Sequence, residues 1–576
     1  MRLRSPVRVA LRAFSEKPLR LPRWGLGPAR PGDPPLFRFD PAERRRVVEQ
    51  VVARVVEAVG PERPAIELAL NDAARHEIRR LLEQKDEETA ERLAGWRRLA
   101  RRIDRMSDEE LRAALRKVAR RMAEDVAGYF DPRVYELARH VAPRLIAAVM
   151  EPSSLPSGLA DAQRALDALL EVQGEVATLR SLHRRGTLVF VPTHSSNLDS
   201  IVLGQALERC GLPPVVYGAG KNLFSNPLLS FFMHNLGAYR VDRRIRARLY
   251  KDVLKTYAAV MVERGYHSLF FPGGTRARSG MIERHLKLGL LGACVEAYAR
   301  RVVAGAEAPV WFVPTTINYA LVLEAESLAE DWLQRAGQSR FILPHDEFSQ
   351  VERWVAFFRK LVGLRSACVI RFGRPLDPFG NPVDAQGRSI APDGHVVEPG
   401  GYVRFRGEAR LSPRRDRAYT RGLGRLLAEA YRRETVLMGT NLVAHVLFRR
   451  LVAETPGLDL FARVRLRGEV SMAREELLTE VGELRDRLLA LQRDGEVHLG
   501  PAIAEAEPAA IVDRALRMWN GYHRRMAVHD LGGQVRIEDP MLLAYYQNRL
   551  LPWARRVAPP DYAQAARQLV AMEASA

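Results

Sequence analysis

The chain has 576 residues, 47% hydrophobic and 27% charged, with a formal net charge of +20 at pH 7. This length is enough for roughly two to four domains, each with its own core. The balance of apolar and charged residues excludes a chain that is disordered throughout. The strong positive charge predicts an anionic partner, which is a lipid surface, a phosphorylated substrate, an acidic carrier protein or a nucleic acid.

Cysteines and long apolar runs are both scarce. The three cysteines are Cys210, Cys294 and Cys368. This odd and sparse count argues against a disulfide framework and fits a reducing compartment. The Cys/His spacing of a metal site is missing, so we expect neither a metal nor another cofactor. Because no run of about 18 apolar residues occurs, a membrane-spanning helix is not expected, and the N-terminus lacks the apolar core of a secretory signal.

Residues 1–37 are predicted to be a basic tail that ends in Pro-rich sequence. Between Arg2 and Arg30 this tail has eight basic residues against one acid, Glu16. Four of its apolar residues would share one face of a helix: Leu3, Val7, Leu11 and Phe14. A solvated tail is the ordinary interpretation, an interfacial anchor is the alternative, and an organelle transit peptide would have the same composition.

Residues 38–159 are predicted to be helical, because apolar residues recur there every four positions. The repeat is clearest at Val47, Val51, Val55 and Val59. Over residues 160–378 short apolar runs alternate with helical stretches, which predicts an α/β layer with a mostly parallel sheet. The candidate strands are 187–191, 213–217, 267–272, 309–314 and 367–372.

The rest of the chain divides into two parts. Residues 379–414 are rich in Gly, Pro and Asp and are predicted to be a linker of loops or hairpins. Residues 415–576 are again predicted to be helical. The segment 470–500 is compatible with a DNA-binding winged helix, but its helix is acidic, as a phosphate-facing helix would not be. The acids are Glu475, Glu476, Glu480 and Glu483. A nucleic-acid partner is therefore not expected.

A histidine and a carboxylate follow the first candidate strand. The apolar run from Leu188 to Val191 ends at a proline, His194 comes next, and Asp199 lies five residues later at the start of a predicted helix. A carboxylate at this spacing can hold one imidazole nitrogen and leave the other free as a general base. We therefore predict His194 as the base and Asp199 as the residue that orients it.

Three later segments, taken in order after His194 and Asp199, complete a recognisable pattern. They are GAYRVDR (237–243), FPGGTRARSG (271–280) and VPTTINY (313–319). The four segments resemble the four sequence blocks of the glycerolipid acyltransferase superfamily and together span about 130 residues. Two C-terminal stretches, NLVA (441–444) and AYYQN (544–548), resemble the large glycerol-3-phosphate acyltransferase branch.

This resemblance implies an α/β acyltransferase domain between N-terminal and C-terminal helical regions. It implies transfer of a fatty acyl group from acyl-CoA or acyl carrier protein to glycerol 3-phosphate in phospholipid biosynthesis, by a peripheral protein at the cytoplasmic face of an anionic membrane. Lysophosphatidate and dihydroxyacetone phosphate remain alternative acceptors. A basic protein that only binds membranes or nucleic acid remains the alternative from another class.

The resemblance also implies which residues bind the acceptor: Arg243, Gly274, Arg276, Arg278 and Lys287. The planar fork of arginine suits a phosphate group, and Gly274 permits close backbone approach. Lys287 stands out because lysine is scarce in this chain. Arg243 is equally compatible with a structural ion pair. Neither a cysteine nor a G-x-S-x-G turn lies near His194, so direct attack by the acceptor hydroxyl is expected rather than an acyl-enzyme.

Two positions depart from the family pattern. Gly273 stands where the third block usually has a glutamate, so any contact made by that carboxylate is missing or replaced. Ser195 stands where the large branch often has an arginine. Both departures leave the identity of the acceptor open. The apolar run from Leu228 to Met233 is compatible with an acyl-chain groove, although a buried core helix is the simpler interpretation.

Overall fold

The computed structural model describes seven stretches of the chain: residues 32–83, 87–139, 169–220, 227–306, 308–336, 367–520 and 522–559. Most of the predicted basic tail, up to residue 31, lies outside the described residues. So do residues 140–168, where the N-terminal helices lead into the predicted acyltransferase domain, and the C-terminal residues from 560 onwards.

The N-terminal region is a bundle of helices, as the apolar repeat predicts. The helices are α1 (Pro41–Val59), α2 (Arg63–Leu82), α3 (Glu87–Arg102) and α4 (Asp108–Val126). Asp40 caps α1 by accepting the Glu43 N–H, and Ser107 forms a capping box with Glu110 at the start of α4. The buried valines of α1 belong to the same apolar cluster as Val253 of a later helix, which attaches the bundle to the central domain.

The central domain contains a seven-stranded sheet, and this confirms the predicted fold class. Its strands are β1 (Leu170–Gly174), β2 (Thr187–Pro192), β3 (Val216–Gly220), β4 (Ala238–Val241), β5 (Ser268–Leu269), β6 (Val310–Tyr319) and β7 (Cys368–Phe372). Their order across the sheet is β1-β7-β6-β2-β5-β3-β4. Every neighbouring pair is parallel except β6 and β7.

Six helices connect or flank these strands. They are α5 (Val176–Leu182), α6 (Asp199–Arg209), α7 (Pro227–Asn235), α8 (Arg248–Glu263), α9 (Leu288–Val303) and α10 (Ala325–Ala336). The apolar run from Leu228 to Met233 lies in α7, and Met233 is buried in a small cluster with Ala219 and Ala238. Among the described residues, no helix is both long and apolar enough to cross a membrane.

The predicted linker forms short hairpins, as its composition indicates. β8 (Ser389–Ile390) pairs with β9 (Val396–Val397), and β10 (Arg404–Phe405) pairs with β11 (Glu408–Ala409), both antiparallel.

The C-terminal region contains strands as well as the predicted helices. Its main helices are α11 (Pro413–Glu434), α12 (Gly439–Glu454), α13 (Arg474–Arg493), α14 (Pro508–Trp519) and α15 (Pro540–Gln547). Its strands are β12 (Val436–Leu437), β13 (Ser471–Ala473), β14 (His498–Leu499), β15 (Val528–Asp530) and β16 (Gln534–Ile537). The buried side chains of this region and of the seven-stranded sheet form one apolar cluster, so the two pack as a single core.

The acids of α13 are used within the protein. Glu476 accepts a hydrogen bond from Arg450 at 2.8 Å, and Glu480 pairs with the buried Arg449, both arginines belonging to α12. A helix whose carboxylates are bound to a neighbouring helix does not offer a cationic face to DNA, which weighs against the winged-helix interpretation.

Candidate active site

The residues predicted to carry the chemistry meet at one edge of the sheet. His194 follows β2, the loop 270–287 follows β5, Tyr319 ends β6, and Arg243 follows β4. β2 and β6 are paired in parallel up to Pro192 and Thr315. Carboxyl ends of parallel strands lie at the same edge, which is where open α/β sheets bind their ligands.

His194 and Asp199 form a hydrogen-bonded pair, as predicted from their spacing. The Nδ1 atom of His194 lies 2.8 Å from Oδ2 of Asp199, and Asp199 is the first residue of α6. The His194 ring stacks on Phe271 at a centroid distance of 4.2 Å. Phe271 belongs to the loop 270–287, called the third-block loop below. His194 Nε2 makes no hydrogen bond to any residue that the structure describes, so this nitrogen is available for proton transfer.

Asp199 is held by four donors. Its Oδ2 atom accepts the backbone N–H groups of Ser195 and Ser196 at 2.7 and 3.0 Å in addition to His194, and Oδ1 accepts the Tyr319 hydroxyl at 2.8 Å. The residue is fully buried. Four donors on two oxygens fix the direction of the carboxylate, so Asp199 is suited to orient the imidazole ring.

The charge state of His194 fits a general base. Burial lowers the pKa of its imidazole, and the positive charges of Arg276 and Arg243 lower this pKa further, whereas the hydrogen bond that the ring donates to Asp199 and the negative charge of Asp199 oppose the shift. A histidine with a lowered pKa is neutral at pH 7 and can accept a proton. The tautomer with hydrogen on Nδ1 satisfies Asp199 and leaves the lone pair of Nε2 free.

Gly274 and Lys287 lie next to each other in the structure. Gly274 has a φ of +72°, a backbone conformation that L side chains rarely adopt. A Cβ atom at this position would lie 2.5 Å from Nζ of Lys287, so the absence of a side chain lets the lysine lie across the turn. The backbone N–H of Lys287 donates to Pro272 at 2.7 Å and closes the loop.

Arg276 and Arg278 reach the site but are ion-paired. Arg276 lies 3.3 Å from Glu324, and Arg278 pairs with Asp331 of α10. Glu324 also accepts the Ser196 hydroxyl at 2.7 Å. The sequence predicted phosphate binding for both arginines. The structure adds that they tie the third-block loop to α10, so an incoming phosphate would share them with carboxylates.

Arg243 has no carboxylate partner among the residues that the structure describes. It is exposed and forms no ion pair with any described residue, whereas its neighbour Asp242 accepts from Arg244. Desolvation lowers the pKa of Arg243, and the charge of Arg276 lowers it further. The alternative interpretation, a structural ion pair, finds no partner for Arg243 among the described residues. Arg243 and Arg276 together form a local excess of positive charge beside His194.

Glu283 is a site residue that the sequence interpretation missed. Its Oε1 atom accepts the backbone N–H of His194 at 3.0 Å. A Cβ atom at Gly273 would lie 2.6 Å from the same Oε1, so a carboxylate does occupy the space beside Gly273. Glu283 is the only acid between Arg264 and Val295, and this isolation, ten residues after the missing glutamate, is the signal that was available.

The C-terminal region contributes to the floor of the site. Asn548 donates to the Ser279 carbonyl at 2.8 Å, and the buried Arg549 donates to the Ile317 carbonyl at 3.2 Å. Arg549 and Ser195 line one cavity of about 30 Å³, so a buried guanidinium lies near the position where the large branch often has an arginine. Asn441 donates to the Tyr546 carbonyl at 2.9 Å, which joins the two C-terminal stretches singled out in the sequence.

The comparison with known families agrees with this geometry. A family model described as Acyltransferase matches residues 173–318. The match identifies an acyltransferase domain within these residues. The matched range begins in β1, ends near the end of β6, and includes His194, Asp199 and the third-block loop. The C-terminal stretches lie outside it.

Curated relatives resemble the same part of the chain. Over 147 residues the chain is 33% identical to proteins named glycerol-3-phosphate acyltransferase from Xylella fastidiosa strains M23 and Temecula1, and 32% identical to the protein of that name from strain 9a5c. The alignment covers 25% of this chain and only 16% of each relative.

Proposed function

We propose that the chain transfers a fatty acyl group from a thioester, acyl-CoA or acyl carrier protein, to the hydroxyl of glycerol 3-phosphate. The observation that carries this proposal is the buried His194–Asp199 pair, which presents a neutral imidazole at the carboxyl edge of the sheet. The names of the relatives support glycerol 3-phosphate as the acceptor.

The geometry suits direct transfer. Nε2 of His194 takes the proton from the acceptor hydroxyl as its oxygen attacks the thioester carbonyl. The tetrahedral intermediate then collapses, the new ester bond remains, the carbon–sulfur bond breaks, and His194 returns its proton to the departing thiolate. Asp199 stabilises the imidazolium that exists between these two transfers. A positioned base of this kind typically contributes about 10²–10⁴-fold.

The cationic residues around the pair support a phosphorylated acceptor. Arg243 has no carboxylate partner among the described residues, and Arg276 lies close enough to lower its pKa. A phosphate group bound between them would relieve their mutual repulsion and accept charge-assisted hydrogen bonds. Lys287 across Gly274 supplies a further point charge at the same loop.

The net charge of +20 supports work at an anionic lipid surface. We infer a peripheral position at the cytoplasmic face of a membrane, where the lipid product would be released into phospholipid biosynthesis.

An assay with a panel of substrates tests the proposal. Purified protein would be given labelled acyl-CoA or acyl carrier protein together with glycerol 3-phosphate, lysophosphatidate or dihydroxyacetone phosphate. We expect labelled lipid with glycerol 3-phosphate and none with His194→Ala. If another acceptor is preferred, the proposed acceptor is wrong and the proposed acyl transfer stands. If all donor and acceptor pairs stay unreacted, the enzyme proposal fails and the binding-protein alternative stands.

A further inference from the structure

Glu283 has features that the ordinary role of a loop acid does not explain. It lies near the end of the loop 270–287, shortly before α9, yet its side chain reaches the backbone of His194, 89 residues earlier in the chain. Its second oxygen, Oε2, is buried and has no hydrogen-bond partner among the described residues. A buried oxygen without a partner destabilises the fold, so a compensating benefit is expected at this position.

The backbone of His194 is held from both sides. Its N–H donates to Oε1 of Glu283 at 3.0 Å, and its carbonyl accepts the Ala277 N–H at 2.6 Å. Because Asp199 and Phe271 fix the ring of the same residue, ring and backbone are restrained by different groups. Without Glu283 the N–H of His194 would lose its acceptor, and the backbone that carries the base would be free to shift.

Gly273 provides the space that Glu283 occupies. The φ of Gly273 is not in the left-handed region, so its backbone does not require glycine. What excludes a side chain there is Glu283, because an added Cβ would lie 2.6 Å from Oε1 and 3.2 Å from the carboxyl carbon. Real Cβ atoms essentially never approach another atom that closely, so a side chain at 273 and the present position of Glu283 exclude each other.

We propose that Glu283 is a positioning residue for acyl transfer, which fills the space beside Gly273 and fixes the main chain of the base His194. The inference rests on the proposed function for its kinetic part, whereas the shared space of positions 273 and 283 can be tested without activity.

The protonation of Glu283 supports this role and adds a second readout. Burial raises its pKa from about 4.5 to about 8, and Asp199 raises it too, while the His194 N–H and Arg549 oppose the shift. The buried hydroxyl of Tyr431 is the other titratable group that faces it. At pH 7 Glu283 is therefore neutral, and glutamine is a close mimic of its protonated form.

The sign of the effect on stability follows from this pKa. Between pH 4.5 and pH 8 the unfolded chain has lost the Glu283 proton, whereas the folded chain keeps it, so this residue destabilises the fold progressively as the pH rises. Above about pH 8 the difference is constant. The melting temperature of Glu283→Gln should therefore exceed that of the wild type, by a margin that grows from pH 5 to pH 8.

Kinetics and a double-mutant cycle test the inference. We expect Glu283→Ala to lower kcat by roughly 10- to 100-fold with little change in either KM, since a small displacement of the base is sufficient for such a loss. Glu283→Gln should recover most of it. An equal loss in both variants, or a loss confined to KM, would overturn the positioning role.

The double-mutant cycle introduces Gly273→Ala into the wild type and into Glu283→Ala. In the wild type this substitution should lower the melting temperature, and in Glu283→Ala it should have little effect, because the clashing carboxylate is gone. Gly273→Glu with Glu283→Ala should regain kcat that Gly273→Ala with Glu283→Ala lacks. If the melting-temperature shifts of Gly273→Ala and Glu283→Ala are additive, positions 273 and 283 do not compete for the same space. A wild type without acyl transfer would refute the proposed function and leave the melting cycle informative.

Discussion

The two flanking regions look alike in sequence, since both are mostly helical and rich in arginine, but they relate to the site differently. The N-terminal bundle is held by ion pairs at the end of α8, where Arg54 pairs with Glu263 at 2.6 Å and Glu43 pairs with Arg264 at 2.6 Å. The C-terminal region instead contacts the loops of the site, for example through Asn548 and Ser279.

This difference shows which region belongs to the catalytic unit. The C-terminal region shares its apolar core with the sheet, and Tyr431 donates to the Val191 carbonyl at 2.9 Å, three residues before His194. The N-terminal bundle has a separate core that includes α8, a residue of β3 and residues of the edge strand β4. We therefore expect C-terminal substitutions to change turnover, and N-terminal substitutions to change stability.

The largest effect on kcat is expected at His194, which follows the strand that the C-terminal Tyr431 contacts. His194→Ala should lower kcat by at least about 100-fold with the fold intact, because the proton of the acceptor hydroxyl then has no base. Asp199→Asn should reduce it less if Asp199 only orients the ring. Circular dichroism and melting temperature would confirm the fold. Near-normal turnover in His194→Ala would contradict the mechanism. The contacts of the C-terminal region with the loop of His194 would then no longer link that region to catalysis.

A pair of buried arginines compares the two regions directly. Arg549 is buried below the site, in the field of Asp199 and Glu283. Arg80 is buried in the N-terminal bundle and paired with Glu77 at 2.7 Å. We expect Arg549→Met to lower kcat by between about 10- and 100-fold, because the bond to the Ile317 carbonyl and the positive charge near Asp199 are lost and the site geometry shifts.

Arg80→Met is the matched control, because it also removes a buried guanidinium. It leaves Glu77 buried without its partner, which should cost about 3–5 kcal/mol of unfolding free energy, while kcat per folded molecule should stay unchanged. Urea unfolding and active-site titration would separate the two quantities. If both arginines affect kcat equally, the distinction between the regions is wrong.

The sequence patterns predicted the central strands better than the edges of the sheet. β2 and the first half of β6 contain apolar runs, from Leu188 to Val191 and from Val310 to Val313, and both strands are buried along their whole length. β1 and β4 were missed because they are short edge strands: β1 carries the half-buried polar residues Glu171 and Gln173, and β4 has only four residues. An edge strand with mixed residues lacks the pattern on which the prediction depends.

The same reasoning separates the predicted from the missed site residues. His194 and Asp199 were predictable because they interact across five positions within one strand–turn–helix unit. Glu283 and Arg549 reach the site through contacts that span 89 and 232 residues. Periodicity and local spacing carry no information about such contacts, so only the folded structure brings these two residues to the base.

A smaller effect is expected for the residues that are proposed to bind the phosphate group of the acceptor. Arg243→Ala should raise the KM for glycerol 3-phosphate about fivefold, roughly the 1 kcal/mol of one exposed charge-assisted hydrogen bond, and leave the KM for the acyl donor unchanged. Arg243 makes no ion pair with a described residue, so its removal strands no carboxylate. Lys287→Ala should behave similarly but more mildly. Steady-state kinetics with each substrate varied in turn would measure both constants.

Arg278→Ala is the comparison variant, because it also strands Asp331. We expect it to raise the same KM and to lower the melting temperature, and Asp331→Ala in addition should recover the melting temperature but not the KM. If Arg243→Ala changes both KM values equally, the residue positions the site and does not bind phosphate.

The smallest effect on turnover is expected for the basic tail. Deleting residues 2–30 removes eight basic residues and one acid. Each basic residue near an anionic surface contributes up to about 1 kcal/mol of binding, and salt screens this attraction within about 8–10 Å at physiological ionic strength. We therefore expect the full chain to bind anionic vesicles and to be released by salt. The deletion should weaken binding and spare turnover of a soluble acyl donor. Binding that only detergent reverses would reveal a hydrophobic anchor instead. Failure to bind anionic vesicles would assign the charge to another partner, with acidic acyl carrier protein the first to be tested.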